Sequence, residues 1–264
     1  MNLAHRLTGT ERAFHYHSNV PITKDAAPVA SPREVRNGMS LKAKTVRRSV
    51  LAPVIAGLLL FVPAGTLKFW QGWVFLAVVV VPIIYSLVYL YRHDPKLLER
   101  RLQAKETSWQ QKLFQILWAV IFCPAFVFTG LDFRFGWTRM LTGSVPLWAL
   151  VIGQAAVLGG TLLVIWVMKV NTYASRTIEV SPGQTVISSG PYSAVRHPMY
   201  SGIVMQMLGT PIALGSYLAL PAFVLLVPVI VFRLIHEERT LRQELIGYSE
   251  YCVRVRYRLL PFVW

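Results

Sequence analysis

Polar and charged residues fill the first 48 positions, and from Val50 onward long apolar runs take over. A membrane span needs about 20 mostly apolar residues, and Val50 to Leu67, Trp70 to Tyr91, Leu113 to Gly130 and Val145 to Val170 meet or approach that length. Trp70, Trp73, Tyr85, Tyr89, Tyr91, Trp109 and Trp148 lie at or near the ends of these runs, where amphipathic rings favour the headgroup layer. A fifth apolar region, Met199 to Ile235, is too long for one span and is punctuated by Pro211, Gly215, Pro221 and Pro228. It reads as a hairpin of two helices, Met199 to Leu214 and Tyr217 to Ile235, joined by a turn at Gly215 and Ser216. The expected fold is therefore all-α: a polytopic membrane helical bundle of four spans plus a C-terminal hairpin, with a polar loop before the hairpin and a polar C-terminal helix after it.

Composition agrees with that pattern. Of 264 residues, 54% are hydrophobic and 15% charged, too apolar a balance for an ordinary soluble domain. The net charge of +15 would suit nucleic acid, but the basic residues sit beside apolar runs, so anionic lipid headgroups are the expected counter-charge and nucleic acid is not an expected partner. With the N-terminus inside, inner segments collect Lys42, Lys44, Arg47 and Arg48, then Arg92, Lys96, Arg100, Arg101, Lys105 and Lys112, then Lys169, Arg176 and Arg196, and finally Arg233 with the basic C-terminus. Outer loops keep only Lys68, Arg134 and Arg139, which favours this orientation and puts residues 171–198 and 236–264 together on the cytosolic side. Residues 1–44 read as a disordered basic tail, with Pro21, Pro28, Pro32 and the histidines His5, His15 and His17, and Met39 would make a reasonable alternative start. Residues 45–264 form the membrane domain. Cys123 and Cys252 read as unpaired, and no metal-ligand spacing is present.

The two segments expected on the cytosolic side hold most of the chemistry. Gly190-Pro191-Tyr192-Ser193-Ala194-Val195-Arg196-His197-Pro198-Met199-Tyr200-Ser201-Gly202 lies where a loop enters the membrane. Pro198 suits the first turn of a helix whose free amides favour an anion, Arg196 and His197 add donors, and Gly202 permits close approach of a ligand or another backbone. Headgroup anchoring explains Arg196 and His197 equally well on spacing alone. The adjacent carboxylates Glu237 and Glu238 are costly beside an apolar run. Arg242 can pair with one of them at i to i+4. The other could accept ribose hydroxyls or offset a sulfonium.

That ordered set, Gly190-Pro191-Tyr192, Arg196-His197-Pro198-Met199-Tyr200-Ser201-Gly202, a helical hairpin, Glu237-Glu238, then Tyr248, Tyr251, Arg254, Arg256, Arg258 and Pro261, resembles the isoprenylcysteine carboxyl methyltransferase family and its bacterial relatives, within a broader group that includes the phospholipid N-methyltransferases. Pro63-Ala64-Gly65-Thr66-Leu67, Asp94-Pro95-Lys96-Leu97-Leu98-Glu99-Arg100-Arg101 and Asn171-Thr172-Tyr173-Ala174-Ser175-Arg176 extend the resemblance to about residue 45. The resemblance implies a multi-pass enzyme of the bacterial inner membrane using S-adenosylmethionine, with its cofactor-binding core at about 171–264. It implies cofactor contacts from Tyr192, His197, Pro198, Tyr200, Gly202, Glu237 and Glu238, and catalytic roles for Arg196, Glu238 and Arg256. Arg242 and Arg254 would meet the substrate, although lipid headgroups are an equal partner for the tail arginines.

The implied acceptor is lipidic or prenylated. A carboxylate acceptor needs no general base, whereas an aminolipid such as phosphatidylethanolamine must first lose a proton, with His197 or Glu238 as candidate base. Gly209, Pro211, Gly215 and Pro221 are expected to leave gaps through which an apolar tail enters sideways. An NADPH-dependent sterol-type reductase shares the helical layout and is the competing enzyme class. A non-enzymatic scaffold or a transporter is the competing non-enzyme, the latter opposed by the absence of a mid-span charge or an inverted repeat.

Overall fold

A computed structural model of the chain describes residues 41–95, 97–99, 109–173, 180 and 183–264. The tail prolines and histidines, Met39, Lys96, Arg100, Arg101, Lys105, residues 174–176, Ser181 and Pro182 lie outside the described residues. Among the described residues all regular structure is helical. In chain order the helices are α1 (Leu41–Ala64), α2 (Trp70–His93), α3 (Trp109–Phe135), α4 (Trp137–Thr142), α5 (Leu147–Val170), α6 (Pro198–Ala213), α7 (Leu220–Val224), α8 (Leu226–Glu244) and α9 (Tyr248–Arg254). Among the described residues, five segments are long and apolar enough to cross a membrane: Thr45–Ala64, Trp70–His93, Trp109–Phe135, Leu147–Val170 and Tyr217–Glu244. Val54, Val81, Val120, Ile152 and Trp166, one or more from each of the first four, are exposed, as a lipid-facing surface requires.

The hairpin differs from the sequence expectation in its second arm. Tyr217–Ala219 forms a 3-10 turn, α7 follows for five residues, and only then does α8 begin. Pro221 stands in the first turn of α7, where its missing N–H leaves nothing unsatisfied. The arm does not stop at Ile235. It continues to Glu244, so Glu237 and Glu238 lie inside one long helix, with Glu238 on the same buried stripe as Ile230 and Leu234. The short α4 was not expected either.

The first arm, α6, packs most closely on α5. Glycines make this possible. A Cβ on Gly202 would stand 2.8 Å from the carbonyl oxygen of Gly160, and one on Gly209 would stand 2.9 Å from that of Gly153. A Cβ on Gly153 or Gly160 would likewise collide with the facing backbone at Ala213 or Gly202. Gln206 Nε2 donates to Thr161 Oγ1 at 3.0 Å across the same seam. Small residues that let two backbones touch are the usual substitute for a hydrophobic driving force in lipid. This corrects the sideways-entry expectation at Gly209, whose open side is filled by α5.

The hairpin turn is pinned at the end of the bundle opposite Glu237 and Glu238. Asp132 of α3 is buried, and its carboxylate accepts from the backbone N–H of Thr138 at 2.7 Å, from Thr138 Oγ1 at 2.5 Å and from Ser216 Oγ in the turn. Leu218 N–H in turn donates to Thr138 Oγ1 at 3.3 Å. A buried acid with three donors is satisfied, and it ties the turn that joins the two arms to α3.

Candidate functional site

Residues 190–197 reach the start of α6 through a 3-10 turn, Gly190–Ser193, which Gly190 opens at φ +57° against Val170. Arg196 and His197 are then fixed by backbone pairing with the C-terminal segment. Arg196 N–H donates to the Tyr257 carbonyl and His197 N–H to the Arg258 carbonyl, each at 2.9 Å. Ser201 Oγ donates to the Leu259 carbonyl at 2.5 Å. Pro198 sits at the first helical position after His197, as its sequence position suggested.

Glu238 is the centre of the charge network. It is 4% exposed, and its Oε1 forms an ion pair with Arg196 Nη1, itself on a residue only 6% exposed. Oε2 accepts from Arg258 Nε at 2.7 Å, and Arg242 Nη2, four residues along α8, approaches Oε1 at 3.5 Å. Cys252 Sγ lies 3.9 Å from Oε1. A buried carboxylate needs such compensation, since an unpaired one would be strongly disfavoured. Arg196 Nη2 also donates to the Arg256 carbonyl at 3.1 Å, while its buried Nε has no hydrogen-bond partner among the described residues.

Glu237 faces the neighbouring turn. Its Oε2 accepts the hydroxyl of Tyr200 at 2.5 Å, and the same hydroxyl receives Arg233 Nε at 3.1 Å. The Arg233 guanidinium lies 4.5 Å from the centroid of Phe114 on α3, a cation–π arrangement that keeps its charge inside the bundle. His197 Nε2 stands 3.4 Å from the hydroxyl of Tyr248, and burial lowers the pKa of the imidazole despite the opposing pull of Glu237 and Glu238. Burial also raises the phenols of Tyr248 and Tyr251, so both stay protonated donors. Tyr251 donates to the Tyr192 carbonyl at 2.7 Å, and Asn171 Nδ2 donates to the Tyr192 hydroxyl at 2.9 Å.

The structure thus brings Tyr192, Arg196, His197, Pro198, Tyr200, Glu237, Glu238 and Arg242 to one end of the bundle. Gly202 is held elsewhere: its bare face is occupied by Gly160, so it serves the α5–α6 contact and leaves no opening to a ligand. Arg254 and Arg256 have exposed side chains, and Arg256 meets Arg196 through its carbonyl alone. The tail guanidinium that reaches Glu238 is that of Arg258. Sequence reasoning gave no role to Arg233, Asn171 or Arg258. Arg233, a cation at the end of an apolar run, carried a signal that could have marked it. The tail arginines alternate at 254, 256 and 258, the first ending α9 and the others in irregular backbone, and nothing in their spacing singles one out.

These features define a polytopic helical membrane protein with a buried polar site where two chain segments converge at one end of a hairpin. Residues 148–245 match the model of the phospholipid methyltransferase family. The match takes in Gly190–Gly202 and Glu237–Glu238 and agrees with the broader group to which the motifs pointed. Over 93 residues the chain is also 32% identical to Delta(14)-sterol reductase TM7SF2 of Mus musculus, a similarity that covers 33% of this chain and 22% of that protein.

Proposed function

We propose that the chain is an S-adenosylmethionine-dependent methyltransferase that acts at the cytosolic membrane interface on the carboxylate of a lipidic or prenylated acceptor. The observation that carries this reading is the buried contact of Arg196 with Glu238, 42 residues apart, beside the Tyr200–Glu237 contact and inside the family match. The residues fit the cofactor. Glu237, half-buried, offers a carboxylate to ribose hydroxyls, and the unpartnered Nε–H of Arg196 is a buried donor suited to the amino-acid carboxylate. Bound there, S-adenosylmethionine supplies a methyl group activated by its sulfonium.

The protein's task is then alignment and exclusion of water. The charge around Glu238 favours an anionic acceptor: three guanidiniums face one carboxylate there, while Arg233 and Glu237 offset each other across the Tyr200 hydroxyl. The same contacts disfavour an amine. Glu238 is engaged by all three arginines and His197 Nε2 by Tyr248, so neither expected base is disposed to take a proton from an ammonium. A carboxylate is already ionised and needs no base.

The purified protein in lipid, given methyl-labelled S-adenosylmethionine and prenyl-cysteine, fatty-acid and aminolipid acceptors, is expected to label a carboxylate. Label on the aminolipid would move the reaction to N-methylation. Absence of any transfer together with failure to bind S-adenosylhomocysteine would overturn the proposal. The 93-residue similarity to the sterol reductase favours a second reading, an NADPH-dependent reductase, which oxidation of NADPH in the presence of a sterol and no methyl donor would establish.

A further inference from the structure

The C-terminal segment beyond α9 makes its own closed turn. The main-chain oxygen of Trp264 accepts the backbone N–H groups of Arg258 at 2.8 Å, Leu259 at 2.9 Å and Leu260 at 3.2 Å, and Phe262 turns the chain back at φ +66°. The turn packs Trp264 against the main apolar core, of which buried Leu259 is a member, and brings its ring to 5.1 Å from the guanidinium carbon of Arg258. Arg258 is the residue whose Nε reaches Glu238 at 2.7 Å and whose carbonyl holds the His197 N–H. Its side chain is 32% exposed, so without a second contact this long guanidinium would have many rotamers open to it.

We infer that Trp264 is a positioning residue of the cofactor site: its ring holds the Arg258 guanidinium on Glu238 and so fixes the carboxylate that Arg196 also binds. Residues 257–264 lie outside the stretch that matches the family model, so this role comes from the contacts alone. The inference rests on the proposed cofactor reading and deepens it, by assigning the C-terminal turn to the same pocket.

A double-mutant cycle on S-adenosylhomocysteine affinity tests it, with the full chain in lipid nanodiscs. Trp264→Leu stays apolar without a π face and is expected to weaken binding about three- to ten-fold, the range of a cation–π contact. Trp264→Phe, which restores an aromatic face, should recover most of that loss. Arg258→Gln should weaken binding at least as much as Trp264→Leu, and the double variant should be no worse than Arg258→Gln, because the ring acts through the guanidinium. Additive losses in the double variant, or equal losses for Leu and Phe, would overturn the inference, since both are what mere core packing gives. Wild-type protein that binds no S-adenosylhomocysteine would instead remove the cofactor reading itself.

Discussion

At the scale of single residues, Glu238 separates buried from exposed charge pairs. Arg196 and Glu238 meet with both side chains almost fully buried, whereas the Arg242 side chain is 45% exposed. Removing one partner of a buried pair leaves a desolvated charge and costs about 3–5 kcal/mol. An exposed i to i+4 pair is worth only about 0.3–0.5 kcal/mol. Glu238→Gln is therefore expected to lower the melting temperature sharply and abolish binding of S-adenosylhomocysteine, while Arg242→Ala changes either by less than twofold in affinity or by a degree or two. His197 gives a pH dependence with a definite sign. Its folded pKa lies below the ordinary value, so the unfolded chain binds the proton more tightly. The stabilisation is complete above about pH 6.5, the ordinary histidine value, and falls as the pH drops below it until the lowered folded pKa is reached. Melting curves from pH 8 to pH 5 should show that loss, and His197→Gln should flatten it. The carboxylates and the Arg-His-Pro run were legible in the sequence because charge beside an apolar run is costly wherever it occurs. The choice of Arg258 over Arg256 was not, because it depends on a turn closed by the Trp264 main-chain oxygen, and irregular backbone has no period to read.

Among the helices, α6 and α8 carry the site, and the glycines of α5 and α6 set how near α6 stands to α5. Gly160→Ala would drive a methyl group into the Gly202 carbonyl, and Gly202→Ala into Gly160 and Val164. Each should separate the helices and destabilise the protein by about 1–3 kcal/mol, the usual range for overpacking. Gly57→Ala on α1 is the control: its nearest neighbour would be Leu76 Cδ1 at 3.8 Å, so the variant should be neutral or slightly stabilising through helix propensity. Thermal unfolding in nanodiscs compares the three. The long apolar helices could be read in advance because the bilayer fixes their length. A glycine in such a helix could not be assigned in advance, since a bare Cα serves a ligand and a neighbouring helix alike; only the placement of α5 decides that Gly202 and Gly209 meet backbone. The break of the hairpin's second arm into a 3-10 turn, α7 and α8 was likewise hidden. The prolines that punctuate the arm, Pro221 in the first turn of α7 and Pro228 at the third position of α8, lack the N–H a continuous helix needs, but which of them would end a helix and which begin one was not readable from an apolar run.

For the molecule as a whole, the hairpin links the two ends of the bundle. Asp132, Thr138 and Ser216 hold its turn, and at the other end its arms bring Tyr200 to Glu237 and Arg196 to Glu238. The proposed orientation puts the site end in the cytosol. In a Cys123→Ala, Cys252→Ala background, a cysteine at exposed Ser249 should react with an impermeant maleimide only from the cytosolic face, and one at exposed Ser144 only from the opposite face. Labelling of both from one side would overturn the orientation. The most direct test of the joint site is titration of S-adenosylhomocysteine against the full chain in nanodiscs, comparing wild type with Tyr200→Phe and Glu238→Gln. Saturable binding by wild type, a loss of about three- to ten-fold on removing the Tyr200 hydroxyl, and no measurable binding by Glu238→Gln are expected. Wild-type protein that does not bind, or Glu238→Gln protein that binds as tightly as wild type while remaining folded, would contradict a cofactor pocket shared by the two segments.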